Sequence, residues 1–247
     1  LVAPLLAKHF RVTALDQRGH GESDKPESGY GFEELGADLL AFLDVLRFNR
    51  ALLLGHSWGG NVVLQFAAEH PERTAGAILL DGGFIDLQAD HQMTWEKTRE
   101  RLAPPPLAGT PLDEFKKRIR GFSGRMWSPE VEEIVLSNFE ILPDGTIRPR
   151  LSFDRHMQIL RAMWEQRPPE LYPRVSVPVL LLPAEQEPRE DGERDFIARK
   201  RSNVRLAEER LPRGRTIWFT NTIHDVPLQR PRELAETIVQ FARENRL

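Results

Sequence analysis

The sequence predicts an α/β protein with a mostly parallel β-sheet, helices on both faces and an inserted helical lid. Short unbroken apolar runs recur along the chain, as expected for strands that are buried on both faces of a parallel sheet. Helical patterns lie between most of these runs, and strands that alternate with helices form parallel sheets. The predicted strands lie at residues 12–15, 51–54, 77–80, 177–182 and 216–219.

Apolar residues at helical spacing predict the helices that cover the sheet. The first stripe contains Phe32, Leu35, Leu39, Leu43 and Leu46, and a later stripe contains Leu234, Ile238 and Phe241. The charged stretch 189–215 also carries an apolar stripe at Ile197, Val204 and Leu211, so we predict a solvated helix with one buried side.

The alternation of strands and helices stops after residue 83 and resumes near residue 175. The stretch between contains the proline-rich segments "APPPLAGTP" and "RPPELYP" among helical patterns. We therefore predict a core at residues 1–83 and 175–247 and a lid at residues 84–174. Met126, Trp127 and Trp164 in this lid are candidates for an apolar substrate pocket. The alternative is that they only pack the lid's own small core.

Composition excludes several classes of protein. The 247 residues carry a formal net charge of -3 with both signs interspersed, which disfavours a nucleic-acid partner. The absence of cysteine excludes a disulfide framework and a thiolate metal site. No apolar segment approaches the roughly 20 residues that cross a bilayer, and no phosphate-binding or zinc-helix motif occurs. We expect a cytoplasmic protein that acts on a small molecule without cofactor or metal, and its oligomeric state stays open.

The segment "LLLGHSWGGNVVLQF" at residues 52–66 is the most specific motif in the chain. It passes from an apolar strand through a very short turn into a helix. Gly55 and Gly59 flank Ser57 in the pattern G-x-S-x-G. Such a turn forces its central residue to a positive φ and holds its side chain out at the edge of the sheet. This geometry predicts that Ser57 is a nucleophile.

A serine nucleophile needs a base to accept its proton. His224 is the one late histidine that follows a predicted strand, so we predict it to be the base. His56 is next to Ser57 in the chain and is expected to point elsewhere. His91 and His156 fall in the predicted lid, where a role in the pocket is the less favoured alternative.

The base needs a carboxylate to fix its tautomer, and three residues are candidates. They lie between Ser57 and His224, just past predicted strands. Glu187, which follows "VPVLLL", is the first choice. Asp81, directly after "AILL", is the runner-up, and Glu185 is the third.

The chain resembles the α/β-hydrolase superfamily, in particular its lid-bearing bacterial esterase-like members. The resemblance rests on "DQRGHGESD" at 16–24, "GHSWGG" at 55–60, "VPVLLLPAEQEP" at 177–188 and "HDVPLQRPRELAETIVQFA" at 224–242. Such members usually have Gly-Glu-x-Asp where this chain has "AEQE", so Glu187 would replace the aspartate. The superfamily's first strands and its His-Gly oxyanion loop would precede residue 1. The remaining oxyanion donor would be the backbone N–H of Trp58.

The resemblance implies a serine hydrolase that cleaves an ester, thioester or lactone through an acyl-enzyme on Ser57. Relatives that open epoxides or dehalogenate use aspartate as the nucleophile, so Ser57 disfavours both reactions. A carbon–carbon bond hydrolase and a proline iminopeptidase would use the same triad and stay open as alternatives. A non-catalytic binding module on the same scaffold is the alternative from a different class.

Overall fold

The computed structural model describes residues 1–89, 93–123, 126–188 and 191–247, with the main chain alone at 122–123 and 191–193. The chain forms two compact units. The first comprises Leu1–Val12, Phe32–Thr94 and Met163–Leu247, and the second comprises Thr13–Gly31 and Trp95–Ala162.

The helices and strands alternate along most of the chain. In chain order they are α1 (Ala3–Leu6), α2 (Phe32–Val45), β1 (Ala51–His56), α3 (Trp58–Glu69), β2 (Thr74–Leu80), α4 (Trp95–Leu102), β3 (Thr110–Pro111), α5 (Leu112–Ser123), α6 (Pro129–Leu136), β4 (Phe139–Ile141), β5 (Thr146–Pro149), α7 (Phe153–Glu165), α8 (Pro168–Leu171), β6 (Val179–Leu182), β7 (Ala184–Glu185), α9 (Asp191–Arg210), β8 (Gly214–Thr216), β9 (Phe219–Thr220), α10 (Val226–Gln229) and α11 (Pro231–Asn245).

A four-stranded sheet forms the centre of the first unit. Its strand order is β1-β2-β6-β8 and every pairing in it is parallel. His56 at the end of β1 pairs with Leu80 at the end of β2, which pairs with Leu182 at the end of β6. The carboxyl ends of three adjacent strands therefore lie side by side, and this edge is where open α/β sheets place their ligands.

Both faces of this sheet are covered, as the unbroken apolar runs predict. Along β2, Ala77 and Leu79 belong to one buried cluster, which includes residues of α2, α3 and α9. Ile78 and Leu80 belong to another cluster, which includes residues of α10 and α11. Alternate side chains of a strand point to opposite faces, so the prediction of helices on both faces is confirmed.

Two of the predicted strands need correction. Residues 12–15 form no strand, and Leu15 is exposed. An apolar composition alone does not make a strand, because its backbone N–H and C=O groups need a partner strand. The predicted run 216–219 is divided: β8 ends at Thr216 and joins the central sheet, whereas β9 begins at Phe219 and pairs with β7 in a separate two-stranded sheet.

The second unit is mostly helical, but it also contains a three-stranded antiparallel sheet of order β3-β5-β4. Phe115, Ile119 and Ile147 form its small core. Its bounds differ from those of the predicted lid, because residues 84–94 and 163–174 belong to the first unit.

The loop Thr13–Gly31, predicted as core, belongs to the second unit. Arg155 of α7 donates to the carbonyl oxygens of Lys25 at 2.7 Å and Pro26 at 2.9 Å. These bonds attach the loop to α7.

No helix in the described part of the chain has the length and apolar character of a membrane span.

Candidate active site

Ser57 lies in the turn between β1 and α3. Its φ of 56° and ψ of -128° confirm the strained conformation that the G-x-S-x-G spacing predicts. A Cβ at Gly55 would lie 2.0 Å from the carbonyl oxygen of Gly59, so only glycine allows strand and helix to approach this closely. The turn therefore holds the Ser57 side chain at the carboxyl edge of the sheet.

Asp81 lies in a second strained turn, which follows β2. Its φ is 41°, and its N–H donates to the carbonyl oxygen of Leu182 at 3.0 Å. The N–H of Ser57 donates to the carbonyl oxygen of Leu80 at 2.9 Å, so the two turns are joined through the main chain. A Cβ at Gly82 would lie 1.8 Å from the carbonyl oxygen of Ser57. The turns thus pack backbone against backbone.

Buried polar side chains hold the Asp81 turn in place through hydrogen bonds to Gly83. Asn61 on α3 accepts a hydrogen bond from the N–H of Gly83 at 3.0 Å and donates to Gln166 at 2.7 Å. The hydroxyl of Tyr172 donates to the carbonyl oxygen of Gly83 at 3.3 Å. Because these groups are buried, their hydrogen bonds are needed to offset desolvation, and they hold the 81–83 segment against α3.

The structure corrects the choice of carboxylate beside His224. The Nδ1 of His224 lies 2.7 Å from Oδ2 of Asp81, and because a carboxylate only accepts, Nδ1 carries the proton. Asp81 directly follows β2, the strand adjacent to β1, whereas Glu187 is exposed two residues beyond β7. Among the hydrogen bonds of the described residues, none joins Glu187 to His224. The expectation that Glu187 orients His224 is therefore wrong for this geometry.

Asp81 is 2% exposed and is surrounded by donors. Its Oδ1 accepts from the N–H of Ala184 at 3.0 Å, and both carboxylate oxygens accept from Nζ of Lys200, at 2.9 and 3.0 Å. Burial opposes ionisation, but the bond from His224 and the charge of Lys200 outweigh it and hold the pKa of Asp81 below its usual value. Asp81 is therefore a carboxylate at neutral pH.

Glu185, the third candidate acid, is paired elsewhere. Arg201 donates to its two carboxylate oxygens at 2.6 and 2.7 Å. This bidentate hydrogen bonding lowers the pKa of Glu185. Glu185 is thus ionised and paired with Arg201 of α9, and among the hydrogen bonds of the described residues none joins its side chain to His224.

His56 lies against His224 and does not point away from it, contrary to expectation. The two rings lie 4.6 Å apart between centroids, and Nε2 of His56 donates to the carbonyl oxygen of His224 at 2.9 Å. Burial and the nearby His224 lower the pKa of His56. Since His56 precedes Ser57 in the chain, this contact brings His224 to the Ser57 turn.

The predicted nucleophile and base are close in the fold but not bonded. Among the hydrogen bonds of the described residues, none joins Oγ of Ser57 to His224. Catalytic hydrogen bonds are often long without substrate and tighten when it binds. Trp58 is the first residue of α3, so its N–H lies at the positive end of the helix dipole.

The predicted pocket residues belong to different units. Trp164 lies in the first unit, where its carbonyl oxygen accepts from Gln88 at 2.6 Å. Trp127 and Met126 lie in the second unit, and the indole N–H of Trp127 donates to Glu132 at 3.3 Å. Their role in a pocket stays a prediction.

His91 lies outside the described residues. Among the described residues, no group of three or more histidine, aspartate or glutamate side chains is placed to hold a metal ion.

Sequence reasoning missed Lys200 and the contact of His56. Lys200 lies on the buried side of α9, between Ile197 and Val204 at helical spacing. A lysine on an apolar stripe indicates a buried acidic partner. Lys200 could have been identified in this way, but many other charged residues surround it in the sequence. The contact of His56 depends on the distant loop at residue 224, and no local pattern indicates it.

The comparisons with known proteins identify the family. The family described as "alpha/beta hydrolase fold" matches residues 2–125, about half of the chain. The chain therefore belongs to the α/β-hydrolase family.

Two named relatives illustrate the range of this family. A 2-(acetamidomethylene)succinate hydrolase of Mesorhizobium japonicum is 29% identical over 185 residues, which is 73% of this chain and 63% of that protein. A putative non-heme haloperoxidase of Mycobacterium phage D29 is 47% identical over 77 residues, 31% of this chain and 28% of that protein. This chain thus spans less than two thirds of the length of either relative.

Solved structures share the fold at lower identity. A bromoperoxidase from Bacillus anthracis aligns with a TM-score of 0.73 at 18% identity, covering 98% of this chain and 85% of that one. The structure of E-2-(acetamidomethylene)succinate hydrolase aligns with a TM-score of 0.69 at 22% identity, covering 92% of this chain and 79% of that one. At these identities the likeness concerns the fold.

Proposed function

We propose that this protein is a serine hydrolase that cleaves a carboxylic ester, thioester or lactone through an acyl-enzyme on Ser57. The observation that carries the proposal is the 2.7 Å bond from Nδ1 of His224 to the buried Asp81, next to the strained Ser57 turn. With its proton on Nδ1, the imidazole has a lone pair on Nε2 that can accept the serine proton.

The chemistry follows from these roles. Oγ of Ser57 attacks the substrate carbonyl while Nε2 of His224 takes its proton, and the N–H of Trp58 donates to the developing oxyanion. His224 then gives the proton to the leaving oxygen or sulfur. Water attacks the acyl-enzyme with His224 again as base, which releases the acid and restores Ser57. Asp81 stabilises the imidazolium in both steps and stays ionised.

The family relationship supports a hydrolytic reaction but leaves the substrate open. Neighbours of the same fold include a marine esterase and an enol-lactonase, and a relative that matches 73% of this chain is named for 2-(acetamidomethylene)succinate. A first substrate panel should therefore contain nitrophenyl esters, an enol lactone and that amide.

The test is covalent labelling followed by turnover. A fluorophosphonate is expected to modify Ser57, identified by peptide mass spectrometry, and Ser57→Ala is expected to abolish labelling and lower kcat by several orders of magnitude. Ser202→Ala, which removes an exposed hydroxyl on α9, is the control and should retain both.

Two results would contradict the proposal. One is a folded parent protein in which Ser57 stays unlabelled. The other is near-parent kcat in Ser57→Ala on the esters that the parent hydrolyses. The first result would favour the non-catalytic module, because a binding scaffold has no need of an activated hydroxyl.

A further inference from the structure

Lys200 uses every donor of its ammonium group on the Asp81 side of the site. Its Nζ lies 2.9 and 3.0 Å from the two carboxylate oxygens of Asp81 and 2.9 Å from the carbonyl oxygen of Ala184. An ammonium has three N–H groups, so these three acceptors satisfy it completely. The side chain is 10% exposed.

Burying a lysine beside an aspartate is not needed to close the core. Desolvating two charges costs several kcal/mol, and apolar pairs of similar volume are often at least as stable. Arg201, the next residue of α9, pairs with Glu185 of β7 but is itself 64% exposed. Lys200 therefore differs from the surface cations of α9 in that it faces the carboxylate that holds His224.

We propose that Lys200 is a positioning residue that sets the pH range in which His224 can act as the base. This inference rests on the proposed function, since it concerns the same site. Lys200 fixes the plane of the Asp81 carboxylate so that Oδ2 faces Nδ1 of His224. Its charge also offsets part of the charge with which Asp81 stabilises the imidazolium.

The charges around the two groups make this effect specific. Asp81 faces Lys200 on α9 and His224 on the loop before α10. His224 faces Asp81 and the ring of His56, and Asp225 follows it in the chain. Among the described residues whose ion pairs involve Asp81 or His224, Lys200 is the one permanent cation. Charges at such distances shift a titration by about one pH unit or more.

The experiment compares three variants of α9. Lys200→Gln keeps hydrogen-bond donors and removes the charge, Lys200→Arg keeps the charge, and Arg201→Gln removes the neighbouring charge without touching Asp81. The acid limb of kcat/KM is expected to move up by roughly one pH unit in Lys200→Gln, so that kcat/KM below the limb falls about tenfold. Lys200→Arg and Arg201→Gln should keep the parent limb.

A second readout needs no turnover. The Hε1 resonance of His224, assigned with His224→Gln, is followed by NMR against pH in the parent and in the variants. Its midpoint is expected to rise in Lys200→Gln by the same amount as the acid limb. A rise without Ser57-dependent hydrolysis would support the electrostatic role of Lys200 while the proposed function fails.

An unchanged midpoint in folded Lys200→Gln would overturn the inference, whether or not the protein hydrolyses esters. An equal rise in Arg201→Gln would also overturn it, because the effect would then belong to the whole helix. If Lys200→Gln does not fold, Lys200→Cys takes its place, since the chain has no other cysteine. Alkylation in denaturant with 2-bromoethylamine restores an ammonium and with iodoacetamide leaves a neutral amide, and only the neutral product should show the raised midpoint.

Discussion

The two strained turns at the carboxyl edge of the sheet have similar backbones but different supports. Ser57 after β1 has φ 56° and Asp81 after β2 has φ 41°. The Ser57 turn is shaped by glycines within a few residues, whereas the Asp81 side chain is held by groups 103 to 143 residues away. The backbone of the Ser57 turn is therefore set locally, whereas the Asp81 side chain gains its contacts only in the complete fold.

The strained backbone has a different role in each turn: at Ser57 it exposes a hydroxyl group, and at Asp81 it places a carboxylate among buried donors. Ser57 is strained so that a hydroxyl reaches the edge of the sheet, and its side chain has no stabilising bond among the described contacts. Asp81 is strained and yet anchored, because four donor contacts converge on its carboxylate. Substitutions at the two turns should consequently have different signs.

The largest expected effect is on turnover. Asp81→Asn should lower kcat by about four orders of magnitude, because an amide no longer fixes the Nδ1 proton of His224. Glu187→Gln should keep kcat within about twofold, because that side chain is exposed and away from His224. Steady-state kinetics on a nitrophenyl ester measures both. The opposite ranking would return the acid to Glu187.

The next largest effect is on the free energy of unfolding when either residue is replaced by glycine, measured by urea denaturation at pH 7. Ser57→Gly should raise the free energy of unfolding by about 1 kcal/mol, because glycine removes the strain of the positive φ. Asp81→Gly should lower it by about 3–5 kcal/mol, because Lys200 is left buried without its counterion. Asn221→Gly, at an exposed positive φ of 53°, is the control and should change little. Destabilisation by Ser57→Gly would show that the turn is not strained.

The smallest effect is the pH dependence of stability. The lowered pKa of Asp81 means that its ionised form stabilises the fold above about pH 4, and this contribution is lost as pH falls through the lower, folded-state pKa. We therefore expect the difference in unfolding free energy between the parent and Asp81→Asn to depend on pH in acid. It should shrink below about pH 4, by about 1.4 kcal/mol for each unit of the shift. A difference that stays constant from pH 7 to 2 would contradict this.

Much of the fold follows from local patterns. The stripe at Leu234, Ile238 and Phe241 is buried as predicted, and so are Val204 and Leu211. The Ser57 turn was predictable because its glycines lie two residues away on either side. The short strands β3, β4 and β5 were not predicted, since runs of two to four residues show too little alternation.

The choice between Asp81 and Glu187 could not be made from local patterns. Both follow predicted strands, and the sequence does not state which strand lies beside β1. That order is β1-β2-β6, which places Asp81 next to the Ser57 turn. The "DGG" at 81–83 was a usable signal, because two glycines after a strand indicate close backbone contact. Lys200 had a weaker signal among the charges of α9.

The distance along the chain between Asp81 and its partners has a consequence for synthesis. Asp81 precedes Lys200 by 119 residues and His224 by 143, so a growing chain carries this aspartate long before either partner has left the ribosome. Until Ala184, Lys200 and His224 have been made, the groups that contact the Asp81 carboxylate are absent, and burying it without them is strongly unfavourable. We therefore expect the nascent chain to keep the Asp81 turn hydrated and to close the sheet only after α9 has been made.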